Sequence, residues 1–157
     1  MVQSQKTGPD GRRGLSHAAP VRVLVVEDFV PYRRFTCVTL ASVCGLQVVG
    51  EASDGLEAIQ KAVELKPDLI VLDIGLPSLN GIEVAREIRS LVPESIIIFL
   101  TQEYSDDVVQ LAFNVGARGF VAKSNAAADL LAGLEAVLLG RTFVSKPSAT
   151  DTFKLPT

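Results

Sequence analysis

The stretch Asp68-Leu69-Ile70-Val71-Leu72-Asp73 places four consecutive apolar residues directly before an acidic one. A strand that is apolar on both of its faces is typical of a parallel sheet covered by helices on both sides. Two further runs of this kind are Val21–Val26 and Ile96–Leu100, and shorter ones are Gln47–Gly50 and Gly119–Ala122. The sequence therefore predicts five short strands of one buried parallel sheet.

Helical periodicity fills the intervals between these runs. Apolar residues recur there at helical spacing, as at Val84, Ala85 and Ile88. The alternation predicts an α/β fold, a doubly wound sheet of five parallel strands in the order 2-1-3-4-5. We expect a disordered N-terminal segment over residues 1–19, one domain over residues 20–140, and a tail or linker over residues 141–157.

Composition narrows the classes of function. The net charge of −3 argues against nucleic acid as a direct partner, because phosphate backbones select basic surfaces. No apolar run approaches the roughly 20 residues that span a bilayer, and the N-terminus lacks the apolar centre of a secretory signal. We therefore expect a cytoplasmic protein that does not contact membranes. A single histidine, His17, leaves little for a zinc site or a triad hydrolase.

Polar side chains follow four of the five predicted strands. Glu27 and Asp28 come after the first run, Asp73 after the third, Thr101 after the fourth and Lys123 after the fifth. In open α/β sheets, ligands bind at the carboxyl ends of the strands, where the strand order reverses. In the order 2-1-3-4-5 this point lies between the first and third strands, so the carboxylates are expected to meet there.

Three carboxylates in one place repel each other, and a hard divalent cation removes the conflict. Mg²⁺ prefers one or two carboxylates together with carbonyl and water oxygens, so the acidic cluster predicts Mg²⁺. The hydroxyl of Thr101 and the ammonium of Lys123 predict an anion with charged oxygens, namely phosphate. Each residue alone has an ordinary structural explanation, but the whole set at successive strand ends indicates phosphoryl transfer to an aspartate.

In these features the chain resembles the receiver domain of bacterial response regulators, which has the CheY-like variety of the flavodoxin-like fold. The resemblance covers about residues 20–140. The stretches that carry it are Val23–Asp28, Pro67–Pro77, Asn80-Gly81, Leu100-Thr101 and Gly116–Lys123.

The resemblance implies a two-component signalling function and a metal site. Asp73 would be the phosphoacceptor, served by a histidine kinase or a phosphotransfer protein. Asp28 would bind Mg²⁺ directly, Glu27 would bind it through water, Gly75 would offer its backbone carbonyl, and Asp73 would belong to the same metal site. The acidic pair is Glu-Asp here, where Asp-Asp is commoner in the family. The domain would be no enzyme apart from its own phosphorylation and dephosphorylation.

The resemblance also implies a conformational switch. Lys123 would pair with the phosphate, Thr101 would move its hydroxyl onto the phosphoryl group, and Phe120, in place of the frequent tyrosine, would turn inward behind it. Two neighbours depart from the family. Gln102 stands where a small residue is favoured, which would narrow access to the phosphate. Ser124 stands where many receivers have a cis proline, and we expect a trans bond because cis costs about 3 kcal/mol before serine.

Other classes fit less well. A phosphatase of the haloacid dehalogenase type needs a second acid at the position of Gly75, and a cobalamin module needs a histidine after the loop aspartate. The alternative left open is a pseudo-receiver that acts only as a protein-interaction module. The ending Gly140–Ser145 is similar to receivers that precede a helix-turn-helix DNA-binding domain, so the chain either acts through another protein or is half of a longer one.

The last predicted helix, residues 126–139, is apolar on nearly all sides. Its inner positions are expected to be Leu130, Leu131, Leu134 and Leu138. Its outer positions are Ala128, Ala132, Ala136 and Leu139. Because a helix that is apolar all round is usually buried all round, we predict that it packs on another protomer or on an effector.

Overall fold

The computed structural model describes residues 19–145. The disordered segment expected over residues 1–19 lies almost wholly outside this range, as does most of the tail expected over residues 141–157. Among residues 19–145, no helix has the length and apolar character needed to cross a bilayer.

Strands and helices alternate along the chain, as predicted. A short 3-10 turn, Lys123–Asn125, precedes the last helix. The elements are β1 Val21–Val26, α1 Val30–Ala41, β2 Leu46–Ala52, α2 Gly55–Leu65, β3 Leu69–Leu72, α3 Gly81–Leu91, β4 Ile96–Thr101, α4 Asp106–Asn114, β5 Gly119–Ala122, α5 Ala126–Leu138 and β6 Phe143–Val144.

The strands form one parallel sheet in the order β2-β1-β3-β4-β5-β6. The predicted α/β fold and the order 2-1-3-4-5 are confirmed, but the sheet has a sixth strand beyond the five predicted. This strand has only two residues, too few to show a period of two in the sequence. It is held beside β5 because Phe143 packs against the second core layer, close to Gly133 of α5.

The core has two layers, one on each face of the sheet. Leu24, Ile70 and Leu72 lie in the layer under α2, α3 and α4. Leu69 and Val71 point the other way, into the layer under α1 and α5. Each fully buried aliphatic side chain contributes about 1.5–3 kcal/mol, so truncating Ile70 to alanine would cost about 2–5 kcal/mol with the cavity term. The run that is apolar on both faces is thus buried on both faces, as predicted.

Side-chain caps begin three of the helices. Asp54, Asn80 and Ser105 each accept a hydrogen bond from the backbone N–H three residues later, at 2.8, 3.0 and 3.1 Å. Such caps stabilise a helix by about 1 kcal/mol. Asn80 and Ser105 cap the helices that follow β3 and β4.

The inner face of α5 differs from the prediction at one position. Leu130 and Leu134 are buried, but Leu131 is 38% exposed, and Gly133 and Val137 take inner positions instead. The glycine lets α5 approach the sheet closely, since a Cβ atom there would meet Ile98, Phe143 and Val121 at 3.1 to 3.2 Å.

Candidate functional site

Backbone pairing at the centre of the sheet brings Glu27 and Asp73 side by side. Val26 and Leu72 are partners in the ladder between β1 and β3, so the residues after them leave the sheet at the same level. The N–H of Asp73 donates to the carbonyl of Val26 at 3.1 Å, which extends the ladder by one step. Glu27 is only 3% exposed and Asp73 only 6%. Buried carboxylates need counter-charges or hydrogen-bond donors.

Lys123, which directly follows β5, supplies that counter-charge. It follows Ala122, which pairs with Thr101 at the end of β4. Its Nζ lies 2.7 Å from Glu27 Oε1 and 3.0 Å from Asp73 Oδ2. One ammonium therefore bridges two carboxylates.

The ionisation of these groups reflects their burial and their pairing. Burial, the largest cause, raises the pKa of Glu27 above its ordinary value, although hydrogen bonds from Lys123 and the Phe29 N–H act in the opposite direction. Burial lowers the pKa of Lys123, but hydrogen bonds and charges from Glu27 and Asp73 outweigh it and raise the pKa overall. Lys123 is therefore positively charged at neutral pH.

A third carboxylate, that of Asp28, completes an acidic group that fits a metal ion. Ligand oxygens of Glu27, Asp28 and Asp73 all lie within 4.8 Å of one another. Asp28 is exposed, which leaves room for water ligands on its side, and Gly75 brings no side chain to the cavity that it lines. A donor set of carboxylate, carbonyl and water oxygens is the one that Mg²⁺ prefers. The residues present therefore fit Mg²⁺.

The loop after β3 fixes the carboxylate of Asp73. Asp73 Oδ1 accepts from the Ile74 N–H at 2.7 Å and from the Gly75 N–H at 3.4 Å, while Oδ2 accepts from Lys123. The N–H of Gly81 donates to the Ile74 carbonyl at 2.7 Å, and a Cβ atom at position 81 would collide with the Asp73 carbonyl oxygen. Glycine at the start of α3 is thus required for the helix to brace this loop.

Thr101 and Phe120 occupy the two strands beside the acids. Thr101 is 1% exposed, and its Oγ1 accepts from the Glu103 N–H at 3.3 Å. Phe120 is fully buried, with Tyr104 packed against it edge-on at 5.8 Å between ring centres and Phe99 at 6.4 Å. The ring therefore already lies inward, in the core behind the strand ends.

These side chains surround one cavity of about 400 Å³ at the carboxyl end of the sheet. The structure brings all the predicted metal-binding and phosphoryl-site residues together there, whereas Phe120 lies beneath it. The lining residues are Glu27, Asp28, Phe29, Tyr32, Asp73, Gly75, Thr101, Gln102, Glu103 and Lys123. Gln102 lines the cavity and is exposed at its rim. No peptide bond between residues 19 and 145 is cis, in line with the trans bond expected before Ser124.

Sequence reasoning missed Tyr32. The Lys123 ammonium lies 4.5 Å from the centre of the Tyr32 ring, and burial raises the pKa of the Tyr32 hydroxyl. The available signal was the helix start, because α1 begins two residues after Asp28 and its first turn must lie over the strand ends. An aromatic residue in that turn would have indicated a contact with the site.

Comparison with known proteins agrees with this geometry. Residues 23–135 match the family model described as the response regulator receiver domain. The response regulator GacA of Pseudomonas viridiflava is 33% identical over 125 residues, which are 80% of this chain and 58% of GacA. The chain spans a little over half the length of GacA, and of the transcriptional regulatory protein LiaR of Bacillus subtilis, which is 33% identical over 120 residues.

Two solved structures show the same fold over nearly their whole length. A two-component response regulator of the LuxR family from Aurantimonas sp. SI85-9A1 is similar with a TM-score of 0.77 at 32% identity, over 85% of this chain and 94% of that one. The response regulator domain of Thermotoga maritima CheB is similar with a TM-score of 0.72 at 32% identity, over 82% and 99%.

Proposed function

Because this chain belongs to the response regulator receiver family, we propose that it accepts a phosphoryl group on Asp73 in a reaction that requires Mg²⁺. The observation that carries the proposal is the bridge from Lys123 to Glu27 and Asp73, with Asp28 beside it at the open end. Receiver domains are generally not enzymes, and the only chemistry we infer here is gain and loss of this phosphoryl group.

The chain's own residues account for positioning in such a transfer. An oxygen of Asp73 would attack the phosphorus of a phosphohistidine or an acyl phosphate, so that a P–O bond to Asp73 forms as the bond to the donor breaks. The Ile74 N–H and Lys123 hold the carboxylate before the attack. Lys123 can then pair with the phosphoryl oxygens. Mg²⁺ held by Glu27, Asp28 and Asp73 would neutralise charge between these acids and the phosphate.

Labelling with acetyl phosphate tests the proposal. We expect Mg²⁺-dependent addition of one phosphoryl group by intact mass, and its removal by hydroxylamine, which cleaves acyl phosphates. Asp73→Asn keeps nearly the same shape and should abolish labelling. Asp28→Asn should weaken Mg²⁺ binding and slow labelling. Labelling that persists in Asp73→Asn, or that ignores chelation of the metal, would refute the site, and a folded chain that is never labelled would favour the interaction-only alternative.

We propose a histidine kinase or a phosphotransfer protein as the partner, because either can donate a phosphoryl group to an aspartate. We infer that phosphorylation changes the conformation of the domain and so controls a partner or an output domain, without direct contact with nucleic acid or a membrane. A cytoplasmic location and a receiver domain over residues 20–140 belong to the same proposal. Phosphotransfer from purified kinases identifies the donor.

A second copy of the chain is the occupant that we propose for the outer face of α5. Leu131 on the helix is 38% exposed, and Leu139, directly after its end, is 48% exposed, while the helix carries only two charges, Asp129 and Glu135. Beside this face, an apolar groove of about 280 Å³ separates the helix from the end of α1 and the start of β2. The groove is lined by Val43, Leu46, Leu131, Leu134, Glu135 and Leu138, so it meets the exposed surface of the helix at Leu131.

A charge at Ala132 tests the homodimer. Ala132 is exposed between the two leucines, so Ala132→Glu should leave folding intact and weaken self-association in sedimentation experiments. Ala132→Gln is the matched control for size. A wild-type chain that is monomeric at high concentration, both unphosphorylated and phosphorylated, would exclude the homodimer and leave an effector as the partner of this face.

A further inference from the structure

The chain that leaves α5 is fixed to the end of β5 by Ser145. Ser145 is buried, with 3% of its surface exposed, although it lies just past the two-residue strand β6. Its backbone N–H donates to the Phe120 carbonyl at 2.8 Å, and its Oγ accepts from the Ala122 N–H at 2.7 Å. One serine therefore holds the backbone on both sides of Val121, directly before Lys123.

The hydroxyl does more than continue the ladder between β5 and β6. The backbone pairing of this ladder ends at Phe120 and Val144, so Ala122 has no partner in β6. Because a buried N–H without an acceptor is unfavourable, the Oγ of Ser145 and the N–H of Ala122 are held together. The position of Ser145 is thereby tied to the backbone that carries Lys123.

The other end of β6 is fixed as well. The Phe143 N–H donates to the Arg118 carbonyl at 3.1 Å, and the Phe143 ring packs near Gly133 of α5. A short strand that is hydrogen-bonded at both ends cannot move at one end without straining the hydrogen bond at the other. Movement at the end of β5 would therefore displace β6 as a whole.

We propose that Ser145 couples the phosphoryl site to β6, so that a change at Phe120 and Lys123 is passed to this strand through the Ser145 hydroxyl. This inference rests on the proposed function, because phosphorylation is the event that would move Lys123. Ser145 is on this view a positioning residue: it contacts no phosphate and acts through the Ala122–Lys123 backbone.

Amide hydrogen exchange tests the coupling, with beryllofluoride and Mg²⁺ standing in for the phosphoryl group. In the wild-type chain, exchange should change at residues 119–123 and, by about threefold or more, at residues 143–145. Ser145→Ala should keep the change at residues 119–123 and lose it at residues 143–145. Ser145→Thr, which keeps the hydroxyl, should restore it, and Val144→Ala on the same strand should behave as wild type.

Two results would overturn the inference. One is a response of residues 143–145 that is as large in Ser145→Ala as in wild type, with both variants folded by far-ultraviolet circular dichroism. The other is a wild-type response confined to residues 119–123. Failure of the underlying function looks different, since a chain whose Asp73 is never labelled by acetyl phosphate would show no response in either segment.

Discussion

The ammonium of Lys123 lies 4.5 Å from the centre of the Tyr32 ring while it donates to Asp73 at 3.0 Å. A cation over an aromatic face at this distance is attracted by about 0.5–2 kcal/mol, more when the pair is shielded from water. Tyr32 also packs against Phe35, with ring centres 5.2 Å apart, which fixes its plane. The lysine is thus held by two carboxylates and by a ring from α1.

Two substitutions of Tyr32 distinguish the role of its ring from the role of its hydroxyl. The Tyr32 Oη is buried without a hydrogen-bond partner among residues 19–145, so Tyr32→Phe should be neutral or stabilising, by up to about 1 kcal/mol in urea unfolding. Tyr32→Leu removes the ring at similar apolar character, and should weaken the hydrogen-exchange response of residues 105–123 to phosphorylation, while Tyr32→Phe should not. An equal response in the two variants would show that the ring does not position Lys123.

Lys123→Ala should destabilise the chain in the absence of Mg²⁺. Glu27 and Asp73 are buried and share this one ammonium, and removing one partner of a buried ion pair costs about 3–5 kcal/mol. If Mg²⁺ binds the same carboxylates, as proposed, it should recover part of the loss, and urea unfolding with and without chelator measures this. Lys61→Ala, at an exposed pair with Glu57, is the control and should cost about 0.5 kcal/mol or less with no metal dependence.

We also expect Lys123→Ala to reduce the conformational response to phosphorylation more than the labelling itself. In the proposed reaction, the ammonium would meet the phosphoryl oxygens only after transfer, whereas Asp73 would supply the nucleophile. Hydrogen exchange across residues 105–123, compared with labelling by intact mass, separates these two effects. A variant that loses labelling and response in the same proportion would contradict this order of events.

Much of this site was predictable because strand ends are a fixed place in the fold. Once the apolar runs are assigned as parallel strands, Glu27, Asp73 and Lys123 must lie at one edge of the sheet, whatever the details of packing. Tyr32 and Ser145 were not predictable in the same way. Their roles depend on where a helix turn and a chain exit lie in three dimensions, and neither leaves a periodic pattern.

The sixth strand and the exposed Leu131 show the same limit. Periodicity assigns a residue to a face, but the orientation of α5 depends on how closely Gly133 lets it approach the sheet, and that closeness also makes room for Phe143. A glycine inside a helical pattern reads as a weak position from sequence alone. Its packing role emerges only when the partner across the contact is known.

Acid should weaken the start of α2 through Glu57. Its Oε1 accepts from the Ser53 N–H at 2.8 Å, and this bond, aided by Lys61, holds the pKa of Glu57 below its ordinary value of 4.5. A lowered pKa means that this contribution to stability is present above about pH 4.5 and is lost as the pH falls through the folded-state value.

The Glu57→Gln variant provides the comparison. Glutamine can still accept from Ser53 but carries no charge, so the difference in urea midpoint between wild type and variant should shrink as the pH falls from 6 toward 3.5. Glu64→Gln, an exposed position on the same helix, is the control. A wild-type advantage that stays constant over this range would show that the Glu57 charge does not stabilise the helix.

Thr101→Ala should separate phosphorylation from the switch. Thr101 lines the cavity and is 1% exposed, but its hydroxyl is no part of the acidic group that fits Mg²⁺. Mg²⁺ affinity, followed by calorimetry, should therefore change by less than about threefold, a difference of roughly 0.6 kcal/mol. Labelling of Asp73 should also survive. What should be lost is the hydroxyl that can move onto the phosphoryl group, and with it the change in hydrogen exchange over residues 105–123, where Phe120 packs against Tyr104.

Thr101→Ser keeps the hydroxyl and serves as the control. Equal exchange changes in wild type and Thr101→Ala on activation would reject Thr101 as the residue that links the phosphoryl group to the β5 side of the sheet.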